Sequence, residues 1–359
     1  MRNHSIQTGR KSSKAIRLLM GMALATAPAW AQASATGATP TFVTFQGPGS
    51  NYTFATSINE TLTFTGFYQD ANFVSHGFVA NTKGSFSVFD PEGSTGTNPL
   101  SINEGGSITG WFTVEGFAHG FVRDPQGNIT PFAAPGASET YAVSINLGGS
   151  ITGYSATSGT PNVSGTWHGF IRSPQGQFTP FDPSGSTSTY PTAINWNGVA
   201  TGYYVDSSGF RHGFVRDSQG NITSFDPQGS SSTTVTGINL DGTIVGYYGD
   251  FEDGQHGFVR TPQGAITAFD PAGASPAQTT VASINWDGSI AGGYYGKDNL
   301  LHGFVRRPGG TIVPFDPPGS TETTVYSNHA TTVDAVVGNF NLASGAQPAF
   351  LLIPATTAP

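Results

Sequence analysis

The sequence predicts an all-β fold, a seven-bladed β-propeller of four-stranded blades. Two observations lead to this prediction. The motifs Ile-Asn and His-Gly-Phe each recur every 43 to 49 residues, and a period in the forties is typical of repeat folds. Each repeat also contains four short runs rich in β-branched and aromatic residues, separated by glycine turns. Because no helical periodicity competes with these runs, four strands per repeat are expected.

The four predicted strands of a repeat are named a, b, c and d in chain order. In one copy they read TTVTGIN, TIVGYYGD, QHGFVRT and AITAFD. Leu-Asp-Gly separates a from b, a polar segment of variable length separates b from c, and Pro-Gln-Gly separates c from d. These tight turns predict an antiparallel meander in every blade.

The two ends of the repeat region complement each other. Residues 41–50, TFVTFQGPGS, match the end of a repeat such as TIVPFDPPGS at 311–320, whereas the last repeat stops after strand c at AFLLIP. One strand from the N-terminal end would therefore complete the last blade and leave no open sheet edge. This split repeat favours a closed propeller over residues 41–354 rather than an open β-helix.

Residues 1–33 have the layout of a secretory signal peptide: five basic residues, an apolar run and small residues in AWAQA. We expect secretion to the periplasm or the medium, with 34–40 a short linker and 355–359 a tail. Without the five basic residues of the signal, nine basic and 22 acidic residues remain, a net charge of −13. This charge disfavours nucleic acid, and no segment is apolar enough for membrane insertion. The absence of cysteine excludes disulfides and thiol chemistry.

The repeated pattern IN-x-x-G-x-I-x-G-x-Y followed by His-Gly-Phe resembles the bacterial extracellular repeats named for His-Ala-Phe, the HAF repeats. The similarity covers about Phe42 to Pro354, although six copies have His-Gly-Phe and the seventh has Pro-Ala-Phe. The resemblance implies a secreted bacterial protein with a propeller-like fold. It implies no activity and no catalytic residues.

The repeated histidines are interpreted as structural. Strand c lies two strand spacings, about 10 Å, outside the innermost strand, so histidines of opposite blades cannot meet at one metal ion. We expect each to make a hydrogen bond within its own blade, and we expect no metal site and no cofactor. These residues are His76, His119, His168, His212, His256 and His302.

Five arginines share strand c with the histidines, and five aspartates end strand d in the motif Phe-Asp-Pro. Because c and d are hairpin neighbours, the sequence predicts a cross-strand Arg–Asp pair in most blades. The exceptions are the first blade, with Ala80 in place of Arg, and the second, with Ala133 in place of Asp.

A binding site is expected where the copies differ, which is mainly between strands b and c. In the predicted meander, the b–c turns and the d-to-a crossings lie on one rim, here called the upper rim. Aromatic and acidic residues near it could stack on and hydrogen-bond a sugar, although the Gly-Tyr-Tyr rings could equally pack between blades. Trp196 and Trp286 belong to the opposite rim and could be capping residues. The candidate site residues are Tyr68, Trp111, Tyr154, Trp167, Tyr204, Tyr248, Tyr295, Asp206, Asp250 and Asp253, with Trp111 and Trp167 preferred because they interrupt the repeat pattern.

Three functions remain open. The first is a secreted, non-catalytic recognition module, with polysaccharide as the expected ligand. The second is a carbohydrate-active hydrolase or lyase, although the common catalytic motifs are absent and catalytic residues stay unknown. The third is a scaffold for another extracellular protein, which a broad apolar patch would favour. We expect a monomer in each case.

Overall fold

The computed structural model describes residues 40–157, 166–252, 254–330 and 334–353, and in these segments it contains 28 β-strands and no helix. The strands form seven antiparallel four-stranded blades, so the predicted propeller is confirmed. The predicted signal peptide, most of the predicted linker and the predicted tail lie outside the described residues, as does Asp253.

Blades 1 to 3 each contain four consecutive strands in the order a, b, c, d. Blade 1 contains β2 (Tyr52–Ile58), β3 (Thr63–Gln69), β4 (Ser75–Asn81) and β5 (Phe86–Phe89). Blade 2 contains β6 (Gly96–Ile102), β7 (Ile108–Val114), β8 (Phe117–Arg123) and β9 (Ile129–Phe132). Blade 3 contains β10 (Glu139–Ile145), β11 (Ile151–Ala156), β12 (His168–Arg172) and β13 (Phe178–Phe181).

Blades 4 to 6 repeat this order, and one parallel pairing between Gln255 and Gln278 links blades 5 and 6. Blade 4 contains β14 (Ser186–Ile194), β15 (Ala200–Asp206), β16 (Arg211–Arg216) and β17 (Ile222–Phe225). Blade 5 contains β18 (Ser232–Ile238), β19 (Ile244–Gly249), β20 (Gln255–Arg260) and β21 (Ile266–Phe269). Blade 6 contains β22 (Ala274–Ile284), β23 (Ile290–Gly296), β24 (Leu301–Arg306) and β25 (Ile312–Phe315).

Blade 7 closes the ring with strands from both ends of the chain. It contains β26 (Ser320–Ala330), β27 (Asp334–Leu342), β28 (Ala349–Ile353) and, as its strand d, β1 (Thr41–Phe45). The N-terminal strand pairs with β28 in an antiparallel register that sets Thr41 opposite Ile353 and Phe45 opposite Ala349. The split last repeat therefore closes the propeller as the sequence predicted.

The core lies between neighbouring blades and is built around the phenylalanine of each His-Gly-Phe motif. This side chain lies two residues after the histidine, on the same face of strand c, and packs against the preceding blade. Burying one such ring contributes about 1.5–3 kcal/mol, and the seven equivalent rings distribute this stabilisation around the propeller. The fully buried rings are Phe78, Phe121, Phe170, Phe214, Phe258, Phe304 and Phe350.

In blades 1 to 4 the asparagine of the Ile-Asn motif latches its blade to the next one. Strand a is the innermost strand, and Asn195 at its lower end donates its side-chain amide to the carbonyl of Asn239 in the following blade at 3.1 Å. Its Oδ1 accepts the backbone N–H of Val199 at 3.0 Å and so shapes the a–b turn. Asn59, Asn103 and Asn146 make the same inter-blade bond at 2.9–3.1 Å.

The antiparallel order places the turns on two opposite rims. The upper rim consists of the residues between strands b and c and of those between strand d and the next strand a. The lower rim consists of the residues between strands a and b and between c and d. The predicted recognition face, the upper rim, is thus formed by seven similar but unequal groups of turns.

Candidate functional site

The upper rim carries a repeated pairing of histidine and aspartate. In blade 4, His212 Nδ1 lies 2.7 Å from Asp226 Oδ2, the aspartate of the Phe-Asp-Pro motif that ends strand d. The same pairing, within the blade, is made at 2.7–2.8 Å by His76, His168, His256 and His302. His119 lies in blade 2, where Ala133 replaces the aspartate.

The predicted Arg–Asp pairs are wrong: within the described segments no such ion pair forms, because arginine and aspartate lie at opposite ends of the c–d hairpin. Arg216 pairs in register with Ile222 at the lower end, whereas Asp226 lies beyond Phe225 at the upper end. The guanidinium of Arg216 instead lies 5.2 Å from the centre of the Phe181 ring in the preceding blade. Equivalent cation–π contacts are made by Arg123, Arg172, Arg260 and Arg306.

A second aspartate, from the b–c turn, faces the other nitrogen of the histidine in four blades. His212 Nε2 lies 3.4 Å from Asp206 Oδ2, and His256 Nε2 lies 3.3 Å from Asp250 Oδ2. Asp298 and Asp70 take the equivalent place beside His302 and His76. An imidazole with carboxylates at both nitrogens is best satisfied when both nitrogens carry a proton.

The flanking carboxylates shift the pKa of these histidines. Burial lowers the pKa of His212, but the hydrogen bonds and charges of Asp226 and Asp206 outweigh burial, and the net pKa is raised. The pKa values of His256 and His302 are raised in the same way. At these three positions the upper rim therefore holds a histidine between two carboxylates that favour its protonated form.

The aspartates also shape the rim. Asp206 Oδ1 accepts the backbone N–H groups of Ser208 and Phe210 at 2.8 and 2.9 Å, which orders the b–c turn. The hydrogen bond from Phe210, followed by smaller contributions that include His212, lowers the pKa of this carboxyl group. Asp226 Oδ1 accepts the Thr233 hydroxyl of the next blade at 2.5 Å, so one network joins a b–c turn, strand c and the following blade.

Three of the predicted site tyrosines pack against the histidine rings. The Tyr204 ring packs 5.2 Å from the His212 ring, and the Tyr248 ring packs 5.2 Å from that of His256. Both tyrosines are buried, and Tyr68 has the same role beside His76 in blade 1. Tyr295 is not their equivalent, because Tyr294 occupies that position and Tyr295 is exposed one residue further along strand b.

A cleft of about 310 Å³ opens on the upper rim between blades 4 and 5. Phe210 and Phe251, from the b–c turns of the two blades, form its aromatic walls, and their side chains are 49% and 76% exposed. Arg211, His212 and Asp226 supply charged groups, and residues 229–232 of the crossing add serine hydroxyls. The cleft thus combines exposed aromatic rings with hydrogen-bond donors and acceptors.

A second rim cleft, of about 350 Å³, lies at blade 2. It is lined by Glu92, Phe112, Val114, His119 and Phe132 among others. Because Ala133 stands in place of aspartate here, His119 lacks the strand-d partner that the other five histidines have.

The other predicted aromatics come together in a separate cluster that crosses blades 2 to 4. Tyr141 is its centre: the rings of Trp111, Tyr154 and Trp167 lie 5.1, 5.1 and 5.5 Å from it. Tyr154 also contacts Tyr190 of blade 4 at 5.2 Å. The rings cover one another's faces, so this arrangement serves packing between blades and leaves few faces open to a ligand.

A buried glutamate completes this cluster. The Tyr141 hydroxyl donates to Glu139 Oε2 at 3.0 Å, and burial together with this carboxylate raises the pKa of Tyr141 to about 12. Sequence reasoning missed Tyr141, Tyr190 and Glu139 because they lie on strand a rather than in the variable turns. The sequence could have indicated them, because strand a of one blade lies next to strand b of the preceding blade and its aromatic residues therefore lie near those of strand b.

The fold defines the chain as a β-propeller, and solved structures of that class resemble it. A Pyrococcus horikoshii acylaminoacyl peptidase matches with a TM-score of 0.58 at 10% identity, over 84% of this chain and 51% of that one. A lectin from Burkholderia pseudomallei matches with a TM-score of 0.54 at 11% identity, over 86% of this chain and 99% of that one. A puromycin hydrolase matches with a TM-score of 0.53 at 13% identity, over 86% and 53%.

These similarities show the fold alone, and this chain spans about half the length of the peptidase and of the puromycin hydrolase. Neither a protein-family model nor a curated protein sequence matches the chain, so the relation to HAF repeats stays a prediction. In the part of the chain that the structure describes, no helix could span a membrane and no cluster of three His, Asp or Glu side chains could hold a metal.

Proposed function

We propose that this protein is a secreted, non-catalytic recognition module that binds carbohydrate in the upper-rim cleft between blades 4 and 5. The observation that carries the proposal is that two exposed rings, Phe210 and Phe251, line one cleft together with the charged side chains of Arg211 and Asp226. A pyranose has apolar C–H faces and hydroxyl groups around its edge, and the cleft offers a surface for each.

The polar groups of the cleft are held in place before a ligand arrives. His212 is fixed by Asp226 on one side and Asp206 on the other, and Asp226 is itself fixed by Thr233. Groups that are already ordered lose little conformational entropy on binding, which increases affinity. The Asp226 carboxylate can accept from sugar hydroxyls, and Arg211 can donate to them.

The lectin similarity supports this function. That lectin is matched over 99% of its length, so a propeller with no further domain is sufficient for a lectin. The similarity to the peptidase and the puromycin hydrolase covers only about half of each of those chains, and it supports no catalytic role for the propeller itself.

The alternative of a glycoside hydrolase needs a carboxyl group that is protonated near neutral pH. The rim aspartates whose pKa is shifted are shifted in the opposite direction. Backbone hydrogen bonds lower the pKa of Asp70, Asp206 and Asp250, and the hydrogen bond with His302 lowers that of Asp298. This electrostatic environment favours binding over acid catalysis.

A glycan array tests the proposal with the mature protein, residues 34–359. We expect binding to a subset of glycans, and a loss of at least about tenfold in affinity for Phe210→Ala and for Phe251→Ala, because each ring would bury apolar area worth about 1.5–3 kcal/mol. Trp196→Ala is the matched control, since it removes an exposed aromatic side chain from the lower rim and should leave glycan binding unchanged.

Two further variants distinguish a binding site in the cleft from one in the aromatic cluster of blades 2 to 4. Trp111→Ala and Trp167→Ala should lower stability, because both rings pack against Tyr141, and leave glycan binding by the folded protein intact. Binding that disappears in these variants but persists in Phe210→Ala would move the site to the cluster. Binding to no glycan by a well-folded sample would overturn the carbohydrate proposal.

A further inference from the structure

Blade 2 keeps the histidine of the repeat but lacks the carboxylates that surround it elsewhere. Ala133 stands in place of the aspartate after strand d, and Val114 stands in place of the aspartate of the b–c turn. Phe112 replaces the tyrosine that packs against the histidine in other blades. Among the described residues, neither nitrogen of His119 therefore has a hydrogen-bond partner. All four residues line the second rim cleft of about 350 Å³, here called the blade-2 cleft.

A buried hydroxyl group at the same place also lacks the acceptor that its equivalents have. In four blades the aspartate joins two donors, because its Oδ2 contacts the histidine and its Oδ1 accepts a threonine hydroxyl of the next blade. Thr140 is the equivalent threonine beside blade 2 and is completely buried. Its Oγ1 accepts the backbone N–H of Ala134 at 2.9 Å, but its own proton has no acceptor among the described residues. The threonines that donate to an aspartate, at 2.5–2.6 Å, are Thr189, Thr233, Thr279 and Thr323.

The position between His119 and Thr140 thus has the donors of a carboxylate site without the carboxylate. In blade 4 the equivalent donors hold Asp226, at 2.7 Å from His212 and 2.5 Å from Thr233. The Asp226 side chain is 36% exposed, so solvent reaches this position of the repeat. A ligand carboxylate can therefore enter the equivalent position in blade 2.

Blade 7 shows that a blade without the aspartate does not need the histidine. Gln46 stands there at the position of the aspartate, and Pro348 stands at that of the histidine. The blade nevertheless forms the same four-stranded sheet and closes the ring. The fold therefore does not account for the imidazole that blade 2 retains without its partner, and this imidazole is available to a ligand.

The other walls of the blade-2 cleft indicate what the rest of the ligand is. Val114, Pro131 and Phe132 offer apolar surface to C–H groups. Glu92, from the crossing between blades 1 and 2, adds a carboxylate that can accept a hydrogen bond from a hydroxyl group. It also disfavours a second carboxylate on the ligand, because like charges repel. The cleft thus suits a molecule with one carboxylate and several hydroxyl groups.

The acidic side chains of blade 2 do not exclude an anionic ligand. Glu92 lines the cleft, and Glu115 is exposed in the turn between β7 and β8. In blade 4 a single imidazole, that of His212, holds two carboxylates at the same time, Asp226 at 2.7 Å and Asp206 at 3.4 Å. One carboxylate near the histidine of this repeat is therefore compatible with another at its Nδ1.

We propose that the blade-2 cleft binds a hydroxylated monocarboxylate, whose carboxylate takes the place of the missing aspartate between His119 and Thr140. Hydrogen bonds to an ionised carboxylate are stronger than those between neutral groups, so this group is the main determinant of affinity. The same chemistry is found in a free hydroxy acid and in a uronic acid residue of a polysaccharide. The site shares no residue with the cleft between blades 4 and 5, so it does not depend on the carbohydrate proposal.

Binding can be followed at the site itself by NMR of the histidine Cε1–H groups of the mature protein. The resonance of His119 is assigned by its absence in His119→Gln. Sodium D-glucuronate and D-glucose differ only at C6, and at matched ionic strength we expect glucuronate to shift this resonance with at least about tenfold higher affinity. Sodium L-lactate distinguishes the sources: affinity equal to that of glucuronate indicates a free hydroxy acid, and weaker affinity indicates a uronic acid residue.

Ala133→Asp restores the aspartate of the repeat and tests where the carboxylate binds. Its own side chain should occupy the position, raise the temperature of thermal unfolding and weaken glucuronate binding at His119 at least about tenfold. Phe210→Ala, Phe251→Ala alters the other cleft and should leave the response of His119 unchanged, so failure of one proposal is distinguishable from failure of the other. An absent response to both acids, an equal response to glucose and glucuronate, or an unchanged response in folded Ala133→Asp would overturn the proposal.

Discussion

In four blades the histidine of the His-Gly-Phe motif joins two segments of the upper rim to strand c. His212 binds Asp206 of the b–c turn and Asp226 of the crossing to the next blade, and its ring packs on Tyr204. The motif is therefore a structural device that also supplies charged groups to the cleft. The motif supplies groups to the cleft because His212 and its partner Asp226 line it together with Phe210 and Phe251.

The raised pKa of these histidines predicts how stability depends on pH. The folded-state pKa of His212, His256 and His302 lies above the ordinary value of 6.5, so the folded protein binds these protons more tightly than the unfolded chain. Their contribution is complete below pH 6.5 and is lost as pH rises through the folded-state pKa. We expect the free energy of unfolding, measured with urea, to fall as the pH is raised from 6.5 through the folded-state pKa values of these histidines.

The triple variant His212→Gln, His256→Gln, His302→Gln should flatten this fall. The partner aspartates affect stability in a different pH range. Because the pKa values of Asp206 and Asp250 are lowered, their contribution to the free energy of unfolding is complete above the unfolded value of 3.8 and is lost only as the pH falls below it. His119→Gln is the matched control, because blade 2 has Ala133 in place of aspartate. An equal pH dependence in wild type and triple variant would contradict the role given to these pairs.

At the scale of the strand, the glycine of strand b is explained by an irregularity in strand a. Strand a has a bulge in every blade, for example between Pro191 and Ala193 in blade 4. Gly202 of strand b lies opposite this bulge, and a Cβ there would overlap the carbonyl oxygen of Tyr190. A Cβ at the equivalent glycine of each of the other six blades would overlap the corresponding carbonyl oxygen of strand a.

The glycine of His-Gly-Phe has a different environment. A Cβ at Gly213 would lie 2.8 Å from the end of the Phe225 ring, which can move, and blade 7 has Ala349 at the equivalent position. We therefore expect Gly213→Ala to lower the free energy of unfolding by about 1–3 kcal/mol. Gly202→Ala should cost more than about 4 kcal/mol or prevent folding, because the clash is with backbone. Urea unfolding of the two variants side by side makes the comparison, and equal costs would contradict it.

Hairpin register explains which contacts the sequence could predict. The strands, their turns and the split blade followed from the repeat, because turn residues fix the strand boundaries. The predicted Arg–Asp pairing is wrong because adjacency of strands c and d does not determine which residues face each other. Since Arg216 lies opposite Ile222, the antiparallel register sets His212 opposite Asp226. Phe210 and Phe251 could not be recognised as cleft walls, since they lie in b–c turns whose sequences differ from blade to blade and whose conformation the repeat does not specify.

For the whole molecule, closure of the ring determines how the blades share stability. Blades 1 and 7 share a core in which Ala55 and Ile58 pack with Ala335 and Val337, and blades 6 and 7 share another. No blade therefore has an exposed inter-blade face. In an open repeat array the terminal units would be the weakest, whereas here every blade has two neighbours and unfolding should be cooperative.

The strand that closes the ring is the short β1. Phe45 packs 4.7 Å from Phe64 of blade 1, and Phe42 packs 6.2 Å from Phe350 and 6.3 Å from Phe315 of blade 6. One five-residue strand thus covers the edge of β28 and fills the core on both sides of blade 7. Loss of its two rings alone removes about 3–6 kcal/mol of apolar burial.

We therefore expect a chain lacking residues 34–46 to lose cooperative unfolding and to aggregate, because β28 becomes an open sheet edge. A synthetic peptide of residues 40–47 should restore the thermal transition and the monomeric sedimentation coefficient by pairing with β28. The same peptide with Phe42→Ser and Phe45→Ser keeps the backbone hydrogen bonds but not the core contacts, and it should fail to rescue. If the truncated chain instead unfolds at the same temperature as the full-length protein, closure by β1 does not stabilise the propeller, and the blades hold together through the latches and inter-blade cores alone.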